Sequence, residues 1–230
     1  MNLADILMKV VGAPRGHHQS FFAPKAERLI NAIIVKLPQR ITPSQLTYLG
    51  IAGGVATAIA LVACRYSLAW LPIIPIGIFF NWLGTSLDGP LARARKEERA
   101  SLGLLDHSAD LGTQLLIILA FGFSPFFSLV SASIVLACYL LYSSYTYIRA
   151  TARLTGQMAY IGIGTTEFRV LLAVWPFVAL ALGINERGSN GLTRLDEVTI
   201  ILAILAVGGL IVKIVMDARK IALSQDERDF

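Results

Sequence analysis

The sequence predicts an all-α integral membrane protein, with six transmembrane helices behind an N-terminal amphipathic helix at the membrane surface. Three observations predict it. Of 230 residues, 55% are hydrophobic and only 15% charged, with a mean hydropathy of +0.65, whereas a soluble domain carries about 25% charged residues. Six apolar runs lie at 46–64, 68–87, 104–123, 126–148, 170–184 and 198–216. Most approach the ~20 residues that cross ~30 Å of hydrocarbon as a helix, and backbone groups in lipid must bond within their own segment. Third, the net charge of +5 alternates with these runs.

Basic residues gather before the first run (Lys9, Arg15, Lys25, Arg28, Lys36, Arg40) and between the second and third (Arg93, Arg95, Lys96, Arg99). They gather again between the fourth and fifth (Arg149, Arg153) and after the sixth (Arg219, Lys220, Arg228). The other connections hold Arg65, or Arg187 and Arg194 beside Glu186, Asp196 and Glu197. The positive-inside rule then puts both termini and the second and fourth connections in the cytoplasm. Because the positive charge alternates with spans, it signals topology, and nucleic-acid binding is not expected.

The chain 1–230 reads as one domain, with a cytoplasmic or interfacial segment at 1–40 and a six-helix bundle at 41–217. Within the first segment, residues 21–37 repeat Phe22, Ala26, Leu29, Ile30, Ile33, Ile34 and Leu37 at helical spacing, with Lys25, Glu27, Arg28 and Lys36 opposite. A helix of that kind suits the headgroup layer, or packs on the bundle. Residues 6–11 are too short for the apolar core of a signal peptide, so no cleavable leader is expected. Thr42-Pro43-Ser44 opens the first span, with Pro at the first turn. Gly50, Gly54 and Ala58 then make a small-residue ridge for close helix approach. Cys64 and Cys138 fall in or beside spans and read as buried thiols rather than a disulfide.

Acidic residues inside membrane helices cost about 2.5–3.5 kcal/mol each on insertion scales, and here three converge. Asp88 ends the second span, and Asp106 and Asp110 open the third, four residues apart on one helical face. The two spans are antiparallel across a short connection, so the three carboxylates can meet. Like charges in a low-dielectric cleft repel unless cations lie between them, and oxygen ligands suit Mg²⁺ or Mn²⁺ bridging substrate phosphates. Gly89 and Ala92 leave room beside the helix, and Arg93 offers a forked donor. The residues suggest a diphosphate substrate with a lipid tail. A salt-bridge network at the helix ends of a transporter is the alternative. His107, about 100° around the helix from Asp106, is a second candidate base, and His17 and His18 lie in a polar stretch.

Asp88-Gly89-Pro90-Leu91-Ala92-Arg93 followed by Asp106-His107-Ser108-Ala109-Asp110 resembles the signature of the CDP-alcohol phosphotransferases. In words, that signature is Asp-two-Asp-Gly-two-Ala-Arg, about eight residues, then Gly-three-Asp-three-Asp. Thr42-Pro43-Ser44-Gln45-Leu46-Thr47 and Gly164-Thr165-Thr166-Glu167-Phe168-Arg169 look similar to bacterial members as well. Two positions depart: Thr85 stands where the family has its first aspartate, and Leu102 where it has its second glycine, with Gly103 adjacent. A threonine hydroxyl is a neutral and weaker ligand than a carboxylate.

The resemblance implies phospholipid synthesis at the cytoplasmic face of a bacterial inner or plasma membrane. A phosphatidyl group would pass from CDP-diacylglycerol to a small alcohol or alcohol phosphate, releasing CMP. Asp88, Asp106 and Asp110 would hold Mg²⁺ or Mn²⁺, and Asp110 would take the acceptor's proton. Gly89, Ala92, Arg93 and Thr47 would line the nucleotide site, and Arg149, Arg153 and Arg169 would bind the acceptor's phosphate unless they are topology signals. A homodimer is implied too. Two alternatives accompany this reading: a transferase from CDP-choline or CDP-ethanolamine to diacylglycerol, suggested by Leu105-Asp106-His107, and a non-catalytic homologue that binds lipid or nucleotide, suggested by Thr85.

Overall fold

A computed structural model gives the structure, and the residues described are 23–97, 100–151, 165–183 and 193–226. They are helical, with no β-strand among them. In chain order the helices are α1 (Ala23–Lys36), α2 (Pro43–Ala63), α3 (Ile73–Ala94), α4 (Ala100–Gly122), α5 (Leu129–Thr151), α6 (Thr165–Leu182) and α7 (Arg194–Asp226). A single 3₁₀ turn, Leu68–Trp70, precedes α3.

Among the described residues, four stretches are long and apolar enough to cross a membrane: Pro43–Ala63, Leu68–Ala94, Leu129–Ile148 and Arg194–Arg219. α4 is not among them, since its first half carries Asp106, His107, Ser108, Asp110, Thr113 and Gln114. The apolar part of α6, Phe168–Leu182, is a shorter helix. Polarity is inverted relative to a soluble protein. Thr47, Thr57, Asn81, Thr85, Asp88, Thr113 and Gln114 are buried, while Ile59, Phe79, Leu171, Phe177, Leu202 and Leu205 are exposed. An outer surface this apolar matches hydrocarbon rather than water.

α2 is capped at both levels that its sequence allows. Thr42 Oγ1 accepts from the Gln45 N–H while Gln45 Oε1 accepts from the Thr42 N–H, a capping box, with Pro43 in the first turn. α2 and α3 then run antiparallel at backbone contact. A Cβ added to Gly84 would lie 2.4 Å from Gly50 N and Leu46 O, one on Gly53 2.6 Å from Asn81 N, and one on Gly77 2.3 Å from Thr57 Oγ1. Only glycine fits at these crossings. The ridge at Gly50, Gly54 and Ala58 thus works within the chain, and its faces divide: Gly50 meets α3, whereas Gly54 meets Thr113 on α4. An apolar cluster drawn from α2, α3, α4 and α6, including Leu61, Ile74, Ile117, Phe121 and Leu172, fills the half of the bundle away from the carboxylates.

α1 occupies part of the predicted 21–37 helix. Its apolar stripe is covered by the protein: Ile30, Ile33, Ile34 and Leu37 pack against Leu46, Leu87 and Leu91. Leu29 and Val35 remain exposed. Arg95, beyond the end of α3, fastens this arrangement by donating from Nη2 to Pro38 O at 3.0 Å and from Nη1 to the carbonyls of Gln39 and Ile41.

Candidate functional site

The close seam between α2 and α3 sets the site. One turn past the Gly84 crossing, Thr47 on α2 faces Asp88 on α3, both only 1% exposed. Thr47 also faces Asp106 on α4. Its Oγ1 lies 2.7 Å from Asp106 Oδ1, 3.3 Å from Asp88 Oδ2 and 3.3 Å from Pro43 O. A hydroxyl has one proton to donate, so Thr47 serves one acceptor at a time and the shortest contact favours Asp106. Asp88 Oδ1 also accepts from the Gly89 N–H at 2.6 Å. Two carboxylates converging on one donor repel unless a cation or proton compensates them.

Helix α3 continues past the predicted end of its span, through Pro90 to Ala94, so Asp88 lies inside a helix rather than at its tip. Pro90 has no N–H to return to the carbonyl of Ser86, four residues back. Gly89 is half-buried, Ala92 buried and Arg93 exposed. The helix closes in a Schellman motif, Glu97 N–H to Ala92 O at 2.9 Å and Lys96 N–H to Arg93 O at 3.1 Å. Lys96 takes the left-handed position with φ 58°.

Asp110 is placed differently from its neighbours. One turn along α4 from Asp106, its Oδ1 accepts from Nη2 of Arg169 on α6, forming an ion pair in which Arg169 is 6% exposed. The Phe168 ring next to Arg169 stacks on Tyr139 of α5, with centroids 6.0 Å apart, fixing the start of α6. The structure therefore brings Thr47, Asp88 and Asp106 together, and Asp110 with Arg169. Arg149 lies in the last turn of α5. Its side chain, Arg153, His17, His18 and the glycines at 156, 162 and 164 lie outside the described residues.

Thr85 does not join the carboxylates through its hydroxyl. Oγ1 donates to Asn81 O at 3.0 Å within its own helix, and Cγ2 faces Gly50 across the seam. Among the described residues no three His, Cys, Asp or Glu side chains gather closely enough to hold a metal ion by themselves. The reason is local: Thr85 is a packing residue, and Asp110 turns to Arg169. Asp88 and Asp106 remain as a pair of hard oxygen donors, which fits Mg²⁺, an ion commonly bound by one or two carboxylates plus substrate phosphates.

Beneath this pair the interior stays polar, which the sequence reading did not anticipate. Asn81 Nδ2 donates to Gly50 O at 2.9 Å and to Thr113 Oγ1 at 3.2 Å, and Thr113 donates on to Ala109 O at 2.8 Å. These bonds join α2, α3 and α4 one to two turns below the carboxylates and hold α4 in register. The signal was a lone asparagine in an apolar run. The chain matches no model of a known protein family, and none of the curated proteins matches it.

Proposed function

We propose that the protein is a membrane phosphatidyltransferase of the CDP-alcohol phosphotransferase type, with six spans and both termini in the cytoplasm. In this reading α4 and α6 complete the bundle as shorter or more polar spans, and the carboxylates open at the cytoplasmic face. The observation that carries it is the convergence of Asp88 and Asp106 on Thr47, three groups from three helices, at the end of the bundle rich in basic residues. A diphosphate needs cations and small residues there, and Gly89, Ala92 and Arg93 stand beside the pair.

In the reaction, the acceptor's hydroxyl oxygen attacks the phosphatidyl phosphorus of CDP-diacylglycerol, the bond to the bridging oxygen breaks, and CMP leaves with that electron pair. Asp110 receives the hydroxyl proton. Asp88 and Asp106 would hold a divalent cation, which neutralises charge building on the phosphoryl oxygens. Thr47 orients Asp106, and Arg169 positions Asp110 while no acceptor is bound. Two copies of the chain would form the working unit.

Thr85 favours a second reading, a homologue that binds the nucleotide-lipid without turning it over. Its hydroxyl is committed to its own helix backbone, so the ligand that the resemblance leads one to expect at that position is missing. The experiment that separates the two measures CMP release in lipid-detergent micelles. It uses CDP-diacylglycerol with Mg²⁺ or Mn²⁺ and a panel of alcohols and alcohol phosphates, with diacylglycerol plus CDP-choline as another arm. Metal-dependent release that is lost in Asp110→Asn supports the transferase. Binding of CDP-diacylglycerol without release, in the wild type and in Thr85→Asp, supports the binding homologue.

A further inference from the structure

Arg169 is an unusual partner for Asp110. The guanidinium presents Nε and Nη2 along one edge, a fork that matches two oxygens of a phosphate or carboxylate. Asp110 takes Nη2, while Nε is buried and has no hydrogen-bond partner among the described residues. A buried donor on a charged group that goes unsatisfied is costly to the fold. One half of a two-point oxyanion site is thus filled by the carboxylate expected to act as base, and the other half is unfilled. The surrounding packing holds the arginine where it is: Phe168 on its own helix is stacked on Tyr139, and Leu172 one turn on belongs to the core.

We propose that Arg169 is an exchange clamp. An oxyanion of the acceptor, a phosphate or carboxylate group, takes the Nε–Nη2 edge and displaces Asp110, which is thereby released to receive the acceptor's proton. The inference rests on the transferase reading for the identity of the ligand as acceptor, and it adds a regulation to that site. Without acceptor, the base is held by its ion pair. With an anionic acceptor in place the base is free beside the hydroxyl to be deprotonated. The oxyanion and Asp110 compete for one edge, so removing either strengthens the hold of the other.

That competition fixes the sign of a binding experiment that needs no turnover. Inorganic phosphate is titrated in chloride-matched buffer with chelator present, and binding is read from the thermal stability of the purified protein in micelles. Wild type, Asp110→Asn, Arg169→Gln and Arg169→Lys are compared, with CMP as a donor-side probe. Phosphate is expected to bind Asp110→Asn about tenfold tighter than wild type, the size of a typical coupling between sites. It is expected to lose its effect in Arg169→Gln and to be weakened in Arg169→Lys, which keeps charge but not the fork. Equal or weaker phosphate binding in Asp110→Asn, or an undiminished effect in Arg169→Gln, overturns the clamp. So does tightening of CMP alone, because the edge would then belong to the donor. Should Asp110→Asn fail to fold, Asp110→Ser carries the same comparison. Failure here leaves metal-dependent CMP release untouched, and failure of CMP release leaves the phosphate result standing.

Discussion

The two ends of the bundle each bury an acidic group, and they treat it in opposite ways. At one end Asp196, 3% exposed, has its carboxylate filled. Its Oδ1 accepts from Ser131 Oγ at 2.6 Å and from Ser128 Oγ, and its Oδ2 accepts from Thr193 N and Oγ1 at 2.9 Å each. A carboxylate offers about four lone-pair sites, so four donors saturate it. The result ties the first turn of α7 to the first turn of α5, and Thr193 in turn caps the Asp196 N–H. At the other end, Asp88 and Asp106 come from two helices onto the Thr47 hydroxyl of a third, and Asp110 holds half of a guanidinium fork. A satisfied acid is a fastening. Carboxylates from two helices set against each other instead carry a like-charge repulsion that a cation would relieve.

That contrast separates activity from stability, and the largest expected effects lie at the end with the facing carboxylates. Asp88→Asn and Asp106→Asn should each lower metal-dependent CMP release by at least about 100-fold, the scale on which positioned charged groups contribute to catalysis. Thermal unfolding in the same micelles should move little or upward, because each change removes a like-charge repulsion. A large loss of stability in either variant would make the pair structural and erase the contrast. Asp196→Ala reverses the pattern. It strands four donors in a buried place, and a loss of up to about 3 kcal/mol is expected, the cost of leaving buried polar groups unsatisfied. Any activity measured below the lowered melting temperature should stay near wild type.

Much of this was legible in the sequence, and the reasons are specific. Long apolar runs and the 88, 106, 110 spacing need only helical periodicity, which is why the helices and the meeting of Asp88 with Asp106 could be anticipated. The Thr193-Arg194-Leu195-Asp196 capping pattern was present in the sequence as well, but these residues read as a mixed-charge connection, because burial by Ser128 and Ser131 comes from a different helix. Arg95 read as a topology signal, although it fastens the connection between α1 and α2 to the end of α3. Its role depends on carbonyls 54 to 57 residues away. The partition of the three acids into a pair and an ion pair was invisible for the same reason. It is decided by where α6 sets Arg169, a distance in space that no spacing along α4 encodes.

The seam offers a test of intermediate size that links the two ends. Gly84 and Gly53 meet backbone across α2 and α3, so an added methyl must push the helices apart. Gly84→Ala is expected to cost about 1–3 kcal/mol, the usual range for overpacking. It should also reduce CMP release by more than its stability loss explains, since Thr47 and Asp88 lie one turn beyond. Gly208→Ala on α7, where nothing lies within 4 Å of an added Cβ, is the control and should leave CMP release unchanged while stability stays level or rises by up to about 1 kcal/mol. Equal behaviour of the two variants would mean that the site does not depend on the α2–α3 approach.

The smallest effect tests a fastening that the protein leaves imperfect. Lys96 occupies the left-handed position of the Schellman cap on α3 with φ 58°, where a side chain is strained and glycine is not. Lys96→Gly should therefore raise stability by about 0.5–1 kcal/mol, despite the greater freedom of glycine in the unfolded chain. It removes a positive charge from the same connection as Arg93 and Arg95. If that charge also draws an anionic substrate toward the carboxylates, the variant should show a higher KM for CDP-diacylglycerol at low salt, with the difference shrinking as ionic strength rises. A stabilised variant with unchanged KM at every salt concentration would make Lys96 a turn residue alone, and would leave the attraction of substrate to residues nearer Asp88.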